Sequence, residues 1–181
     1  MKISKISIPG PKLIEPDVFG DERGYFFESY RADVFTENGL PTKYVQDNQS
    51  LSNKGILRGL HYQSPPFSQG KLVRVIVGSV LDVLVDIRKS SPTYGQWFSV
   101  VLSGENKKML WIPEGFAHGF HTLEDQTIFC YKCTAEYNAG SESGLMWNDE
   151  SLAIDWGISD PLLSAKDQDY QAFVEFKSPF L

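Results

Sequence analysis

The chain is patterned in twos. From Val80 to Arg88, Leu81, Val83, Val85 and Ile87 share one face, while Asp82, Asp86 and Arg88 share the other with Val80 and Leu84 among them. A period of two is the mark of a β-strand with a buried face. Comparable runs cover Lys71 to Val77, Gln96 to Leu102, Lys107 to Ile112, His118 to Leu123 and Thr127 to Thr134. Short strands separated by close turn signals predict an all-β sandwich or barrel. Lys71 to Val77 and Val80 to Arg88 read as a hairpin, because Gly78 stands at the first position of a type II′ turn, where glycine is required. Gln96 to Leu102 and Lys107 to Ile112 read as a second hairpin around Ser103-Gly104-Glu105-Asn106, and Pro113-Glu114-Gly115 marks the next turn. Helical signals are few. One covers Arg31 to Asn38, with Gly39 as its stop, and another begins near Ser164, whose hydroxyl suits a cap.

A length of 181 residues predicts one domain, 1–181, with a substantial core. Apolar residues at 41% and charged residues at 22% are ordinary globular usage and exclude a disordered chain. The formal charge of −6 excludes bulk attraction to nucleic acid or to an anionic membrane, so an anionic ligand needs a local basic cluster. Met1 to Pro9 lacks an apolar leader pattern and no stretch is long enough to span a bilayer, so the expected location is cytoplasmic. Cys130 and Cys133 form a C-x-x-C inside a strand-like run. Strand residues three apart face opposite sides, and no second Cys or His pair completes a zinc site, so both read as structural.

Three histidines are present, and His61 lies in the most polar company: Arg58 upstream, Tyr62 and Gln63 directly after it. Histidine is the side chain that exchanges protons near neutrality, so His61 leads the candidates for chemistry. Ile112 to His118 resembles the second motif of the cupin superfamily, jelly-roll barrels that often carry a metal. Metal-binding cupins use an H-x-H with a later glutamate, whereas this chain has His61-Tyr62-Gln63, too few donors for a divalent ion. The expectation is a metal-free site.

An ordered series of motifs then resembles the dTDP-4-dehydrorhamnose 3,5-epimerase family over nearly the whole chain. It comprises Asp21 to Glu28, Gln46-Asp47-Asn48, Leu57 to Gln63, Gln69 to Arg74, Asp86-Ile87-Arg88 with Ser91 to Gly95, Ile112 to Phe120, Tyr131 to Tyr137, Trp147-Asn148-Asp149, and Leu163 to Asp167. The resemblance implies a cupin-type jelly roll of antiparallel strands with a few short helices. It also implies a cofactor-free isomerase acting on a dTDP-linked 4-keto-6-deoxyhexose, and a homodimer with exchanged N-terminal strands. A C4 ketone acidifies the hydrogens on C3 and C5, so inversion needs a base and an acid on opposite sides of the ring, with a donor for the enolate oxygen.

By resemblance His61 is the base, Tyr131 the acid, Asp167 the partner of the imidazole, and Lys71 the cation near the ketone. Arg23, Arg58 and Lys166 supply positive charge for the diphosphate, Tyr137 stacks on the thymine, and Glu28, Gln46, Asn48, His118 and Glu142 match further binding positions. Two readings of Asp167 stand side by side, because Ser164-Ala165-Lys166-Asp167 also has the spacing of a capping box, in which the carboxylate serves the backbone. Tyr131 by itself reads as a core aromatic; only the resemblance makes it an acid. His118 and His121 are odd-spaced, so His118 is expected inward and His121 structural. Strict alternation sets Arg58 and His61 on opposite faces, and either a bulge at Gly59 or a reach around the strand end is needed to bring them together. Arg23 and Glu28 pose the same problem, which contacts from a partner subunit would resolve. Rival functions are a single-carbon epimerase, a non-catalytic sugar-nucleotide-binding cupin and, further away, a metal-dependent cupin oxygenase.

Overall fold

A computed structural model describes residues 1–181. In chain order the first half holds β1 (Lys2–Lys5), β2 (Lys12–Glu15), β3 (Phe19–Asp21), β4 (Gly24–Phe26), helix α1 (Ala32–Glu37), β5 (Gln46–Ser52), β6 (Leu57–Gln63) and β7 (Lys71–Val77). The second half holds β8 (Ser79–Asp86), β9 (Trp97–Ser103), β10 (Met109–Ile112), β11 (Phe116–Thr122), β12 (Thr127–Cys133) and β13 (Glu142–Gly144). They build a six-stranded sheet in the order β1-β2-β10-β7-β12-β5 and a five-stranded sheet in the order β13-β6-β11-β8-β9. From β5 onward only β8 and β9 are sequence neighbours that share a sheet. The chain therefore winds back and forth between two facing antiparallel sheets, the jelly-roll arrangement expected from the sequence.

Neither predicted hairpin forms. β7 pairs with β10 and β12, whereas β8 pairs with β9 and β11 in the other sheet. The Ser103 to Asn106 turn likewise carries the chain from β9 in one sheet to β10 in the other. Only the need for glycine holds: Gly78 has φ +76°, and a side chain there would come within 2.2 Å of Thr127 Oγ1. The same residues that close a hairpin also turn a chain across a sandwich. Which of the two happens depends on partners far away in sequence.

Three apolar clusters explain the alternation. Val73, Val80, Leu84, Leu110, Phe120 and Phe129 fill the space between the sheets. Leu57, Val83, Val85, Ala117, Trp156 and Phe176 bury the outer face of the five-stranded sheet under the C-terminal segment. Phe35 of α1 covers Ile14, Leu72, Met109 and Trp111 on the outer face of the six-stranded sheet. β8 is thus buried on both faces, and its half-polar face, with Asp82 and Asp86 at 0% exposure, is the one that looks into the barrel. Gly39 ends α1 with φ +63°, as predicted, but the second helical signal is only a single 3₁₀ turn, Lys166–Gln168. No helix is long and apolar enough to cross a membrane.

Candidate active site

A cavity of about 860 Å³ opens between the sheets. The six-stranded sheet lines it with Asn48 of β5, Lys71 of β7 and Tyr131 of β12, and the five-stranded sheet with Arg58 and His61 of β6 and His118 of β11. The segment Leu162 to Asp167 and Glu142 close one side. Alternation does most of this placing. Lys71 continues the row of Val73 and Val75, and Tyr131 the row of Phe129, so both enter the barrel.

Arg58 and His61 reach the same cavity through a bulge. His61 stands opposite His118, but Arg58 stands opposite Phe120, so β6 advances three residues while β11 advances two. The extra residue falls at Gly59-Leu60, as the sequence allowed. Gly59 has φ +136° and lies against Gly119, where an added Cβ would sit 2.5 Å from Gly119 Cα. Gly59→Ala is therefore expected to destabilise the fold by about 2–4 kcal/mol, combining left-handed strain with overpacking. Urea unfolding measures it, and a loss under about 0.5 kcal/mol would show that the two strands can part at no cost.

Asp167 is 2% exposed, and its Oδ1 lies 2.5 Å from His61 Nε2. Its backbone N–H donates to Ser164 Oγ at 3.2 Å. Ser164 thus serves the backbone and the carboxylate turns to the imidazole, which joins parts of both readings of this segment. Since Nε2–H donates to Asp167, the lone pair of the neutral ring is on Nδ1. Burial holds the His61 pKa below its usual value, against the upward pull of Asp167, and Lys71 and Lys166 lower it further. At neutral pH the ring is a free base. Burial also pushes the Asp167 carboxyl up, but its hydrogen bond with His61 and the charges around it outweigh this and keep it below the usual range.

On the facing wall burial raises the Tyr131 pKa, so its phenol keeps its proton at neutral pH. Lys71 is half-buried and has no carboxylate partner; burial lowers its pKa. Arg58 is also free of carboxylates, its Nε donating to Ser52 Oγ at 3.2 Å. Unpaired cations in a cavity of an acidic chain are a place for an anion.

At the rim, Glu142 joins Lys166 Nζ at 2.6 Å and accepts from Tyr137 Oη at 2.9 Å. The Tyr137 N–H donates to Gln46 Oε1 at 2.7 Å, and Gln46 Nε2 donates to Asn48 Oδ1 at 3.0 Å. The Tyr137 side chain is left largely in the open. Arg23 and Glu28 are not at this cavity. Arg23 pairs with its own neighbour Asp21 in the β3–β4 ribbon, and Glu28 lies 3.5 Å from Arg31. Within one chain these two expected contacts are absent: Arg23 sits in the turn of a ribbon whose strand residues are all exposed, and Glu28 follows that ribbon.

His118 turns inward and His121 outward, as alternation predicts; His121 Nδ1–H donates to the carbonyl of Trp156 at 2.9 Å. Cys130 is partly exposed and Cys133 buried, on opposite faces, and neither is bonded. No three His, Cys, Asp or Glu side chains cluster as a metal site would require.

Two polar residues had been passed over. Asp82 Oδ2 accepts from His118 Nε2 at 2.9 Å inside the barrel, and burial raises its pKa against the pull of His118. The signal was a carboxylate in the row Val80, Leu84. Gln63 holds the loop that carries Tyr137: its Oε1 accepts from Asn138 N–H at 2.8 Å and its Nε2 donates to the carbonyls of Phe67 at 2.6 Å and Glu136 at 3.2 Å.

Comparison with known proteins agrees with this geometry. The model of the family described as dTDP-4-dehydrorhamnose 3,5-epimerase matches residues 5–175. The dTDP-4-dehydrorhamnose 3,5-epimerase of Shigella flexneri is 55% identical over 176 residues, 97% of each chain. The crystal structure of the dTDP-6-deoxy-D-glucose-3,5-epimerase of Legionella pneumophila in complex with dTDP-4-keto-L-rhamnose superposes with a TM-score of 0.92 at 49% identity, covering 97% of this chain and 94% of that one. That of the Bacillus anthracis dTDP-4-dehydrorhamnose 3,5-epimerase with TDP and PPi bound gives 0.93 at 45% identity, covering 95% and 99%. With a full-length family match and relatives at half identity, the chain belongs to the dTDP-4-dehydrorhamnose 3,5-epimerase family.

Proposed function

We infer that this isomerase epimerises dTDP-4-keto-6-deoxy-D-glucose at C3 and C5, giving dTDP-4-keto-L-rhamnose for dTDP-L-rhamnose synthesis. The observation that carries the mechanism is that His61 and Tyr131 enter one cavity from opposite sheets. In this reading His61 Nδ1 removes the hydrogen from a carbon next to the C4 ketone. The electron pair moves onto O4, where Lys71 stabilises the enolate. Tyr131 then delivers a proton to the other face of the carbon, which inverts it. Such acid–base steps contribute about 10²- to 10⁴-fold each, and a placed donor for the oxyanion about 10²- to 10³-fold. Asp167 fixes the imidazole tautomer and stabilises the imidazolium once it forms.

Arg58 and Lys166 serve the diphosphate, with Tyr137 as the platform for the base and Gln46, Asn48, His118 and Glu142 as further contacts. We assign Arg23 and Glu28 to the cavity of a partner subunit in a homodimer. Their distance from their own cavity and the exposed Phe19, Tyr25 and Phe26 of the same ribbon support this. Residues 1–181 act as one domain in this account, and the two free cysteines suit the reducing cytoplasm.

Incubating the enzyme with the 4-keto sugar in deuterated water, followed by NMR, tests the reaction. Deuterium at both C3 and C5 is expected. Deuterium at one carbon would make this a single-carbon epimerase, and none at either would make it a binding protein.

A further inference from the structure

Gly144 on β13 stands directly opposite His61 on β6. A Cβ at Gly144 would lie 2.4 Å from the Leu60 carbonyl oxygen, 2.5 Å from Tyr170 Cε2 and 2.7 Å from its Cδ2. The missing side chain is a notch, and the ring of Tyr170 fills it. From there the ring meets the His61 imidazole edge to face, with centroids 5.7 Å apart and planes at 68°. This contact is separate from the bond to Asp167, which holds the imidazole through Nε2.

The backbone on either side of Tyr170 is tethered. Upstream, Asp167 is bound to His61 and Ser164. Downstream, Gln171 bridges to Leu145, and its carbonyl accepts the N–H of Met146 at 2.9 Å. The segment that carries the ring is thus held by Ser164, Leu145 and Met146 as well as through the histidine. The phenol is buried without a hydrogen-bond partner, and burial pushes its pKa up to about 12 despite the opposing charge of Lys166. Tyr170 does not line the cavity, so unlike Tyr131 its phenol is not placed to act on a substrate. What it offers His61 is its shape.

We propose that Tyr170, seated in the Gly144 notch, is a positioning residue that braces the His61 imidazole toward Asp167 and keeps water from the flank of the ring. The proposal rests on the reading of His61 as the base. A hydrogen bond at one ring nitrogen leaves rotation about that bond free, and an edge-to-face neighbour removes it. Loss of alignment at a reacting group costs up to about 100-fold in rate. The other groups near His61 are Asp167 and Lys166 on the 3₁₀ turn, Lys71 on β7 and Glu142 on β13. Lys166, Glu142 and Asp167 also lie near the Tyr170 phenol, and Tyr170→Phe separates the effect of its hydroxyl on them from that of its ring.

The test compares Tyr170→Ala and Tyr170→Phe for kcat, KM and the titration of His61 followed by NMR of its ring C–H signals. Tyr170→Ala is expected to lose about 10- to 100-fold in kcat with KM little changed, and to titrate His61 at higher pH, because water regains the ring. Tyr170→Phe keeps the ring and should recover most of the lost rate. A Tyr170→Ala enzyme with unchanged kcat and unmoved His61 titration overturns the proposal, as do equal losses in the Ala and Phe variants. Turnover surviving in His61→Asn would instead refute His61 as the base, and the titration would still report whether Tyr170 shields the ring.

Discussion

His61→Asn is expected to lower kcat by about two to four orders of magnitude, the range for loss of a placed general base, with little change in KM. Asparagine is smaller and its amide stops short of the position that Nε2 takes against Asp167, but the residues assigned to the nucleotide are untouched. What disappears is an atom that accepts a proton near neutrality. The wild-type pH profile carries the same information. Burial lowers the His61 pKa from its usual 6.5, and a base works only when deprotonated, so the rate should hold at pH 6.5 and fall at lower pH, as His61 takes up its proton. Steady-state kinetics on variant and wild type check both statements. A half-maximal rate above pH 6.5 would mean that the pull of Asp167 outweighs the burial of the ring.

Asp167→Asn is expected to cost about 10²- to 10³-fold in kcat with little loss of folding, as in other sites where a carboxylate holds a histidine tautomer. An amide can present its N–H to Nε2, which would move the ring proton to Nδ1 and block the atom that must accept. It also removes the negative charge that stabilises the imidazolium. The two effects have separate readouts. Because Asp167 raises the His61 pKa, its loss should shift the acid limb of the rate profile to still lower pH. A near-wild-type rate with an unshifted limb would return Asp167 to the role of a helix-start residue.

The alternation of apolar residues marks β7 to β12 but none of β1 to β5 or β13, and the motifs supply most of the polar residues that line the cavity. It also sorted His118 from His121, because strand geometry is local. The pairing of the sheets was not legible in the same way. Gly78 and Ser103 to Asn106 carry turn chemistry that serves a hairpin and a sheet crossing equally, and only distant partners choose between them. Asp167 was ambiguous for a related reason: its cap spacing is local, whereas His61 is 106 residues away. Gly59 did announce the bulge that unites Arg58 with His61. Asp82 was visible as a carboxylate among apolar neighbours, yet nothing nearby named His118 as its partner. Arg23 and Glu28 match the family motif and are not at their own cavity, a difficulty that strand alternation already signals in the sequence.

The central claim is that base and acid act from opposite walls, and Tyr131→Phe in deuterated water tests it most directly. With the acid gone, His61 can still remove a proton, exchange it with solvent and return deuterium to the same face. The expected NMR result is deuterium entering the starting sugar without inversion. Epimerised product formed at the wild-type rate would contradict the account.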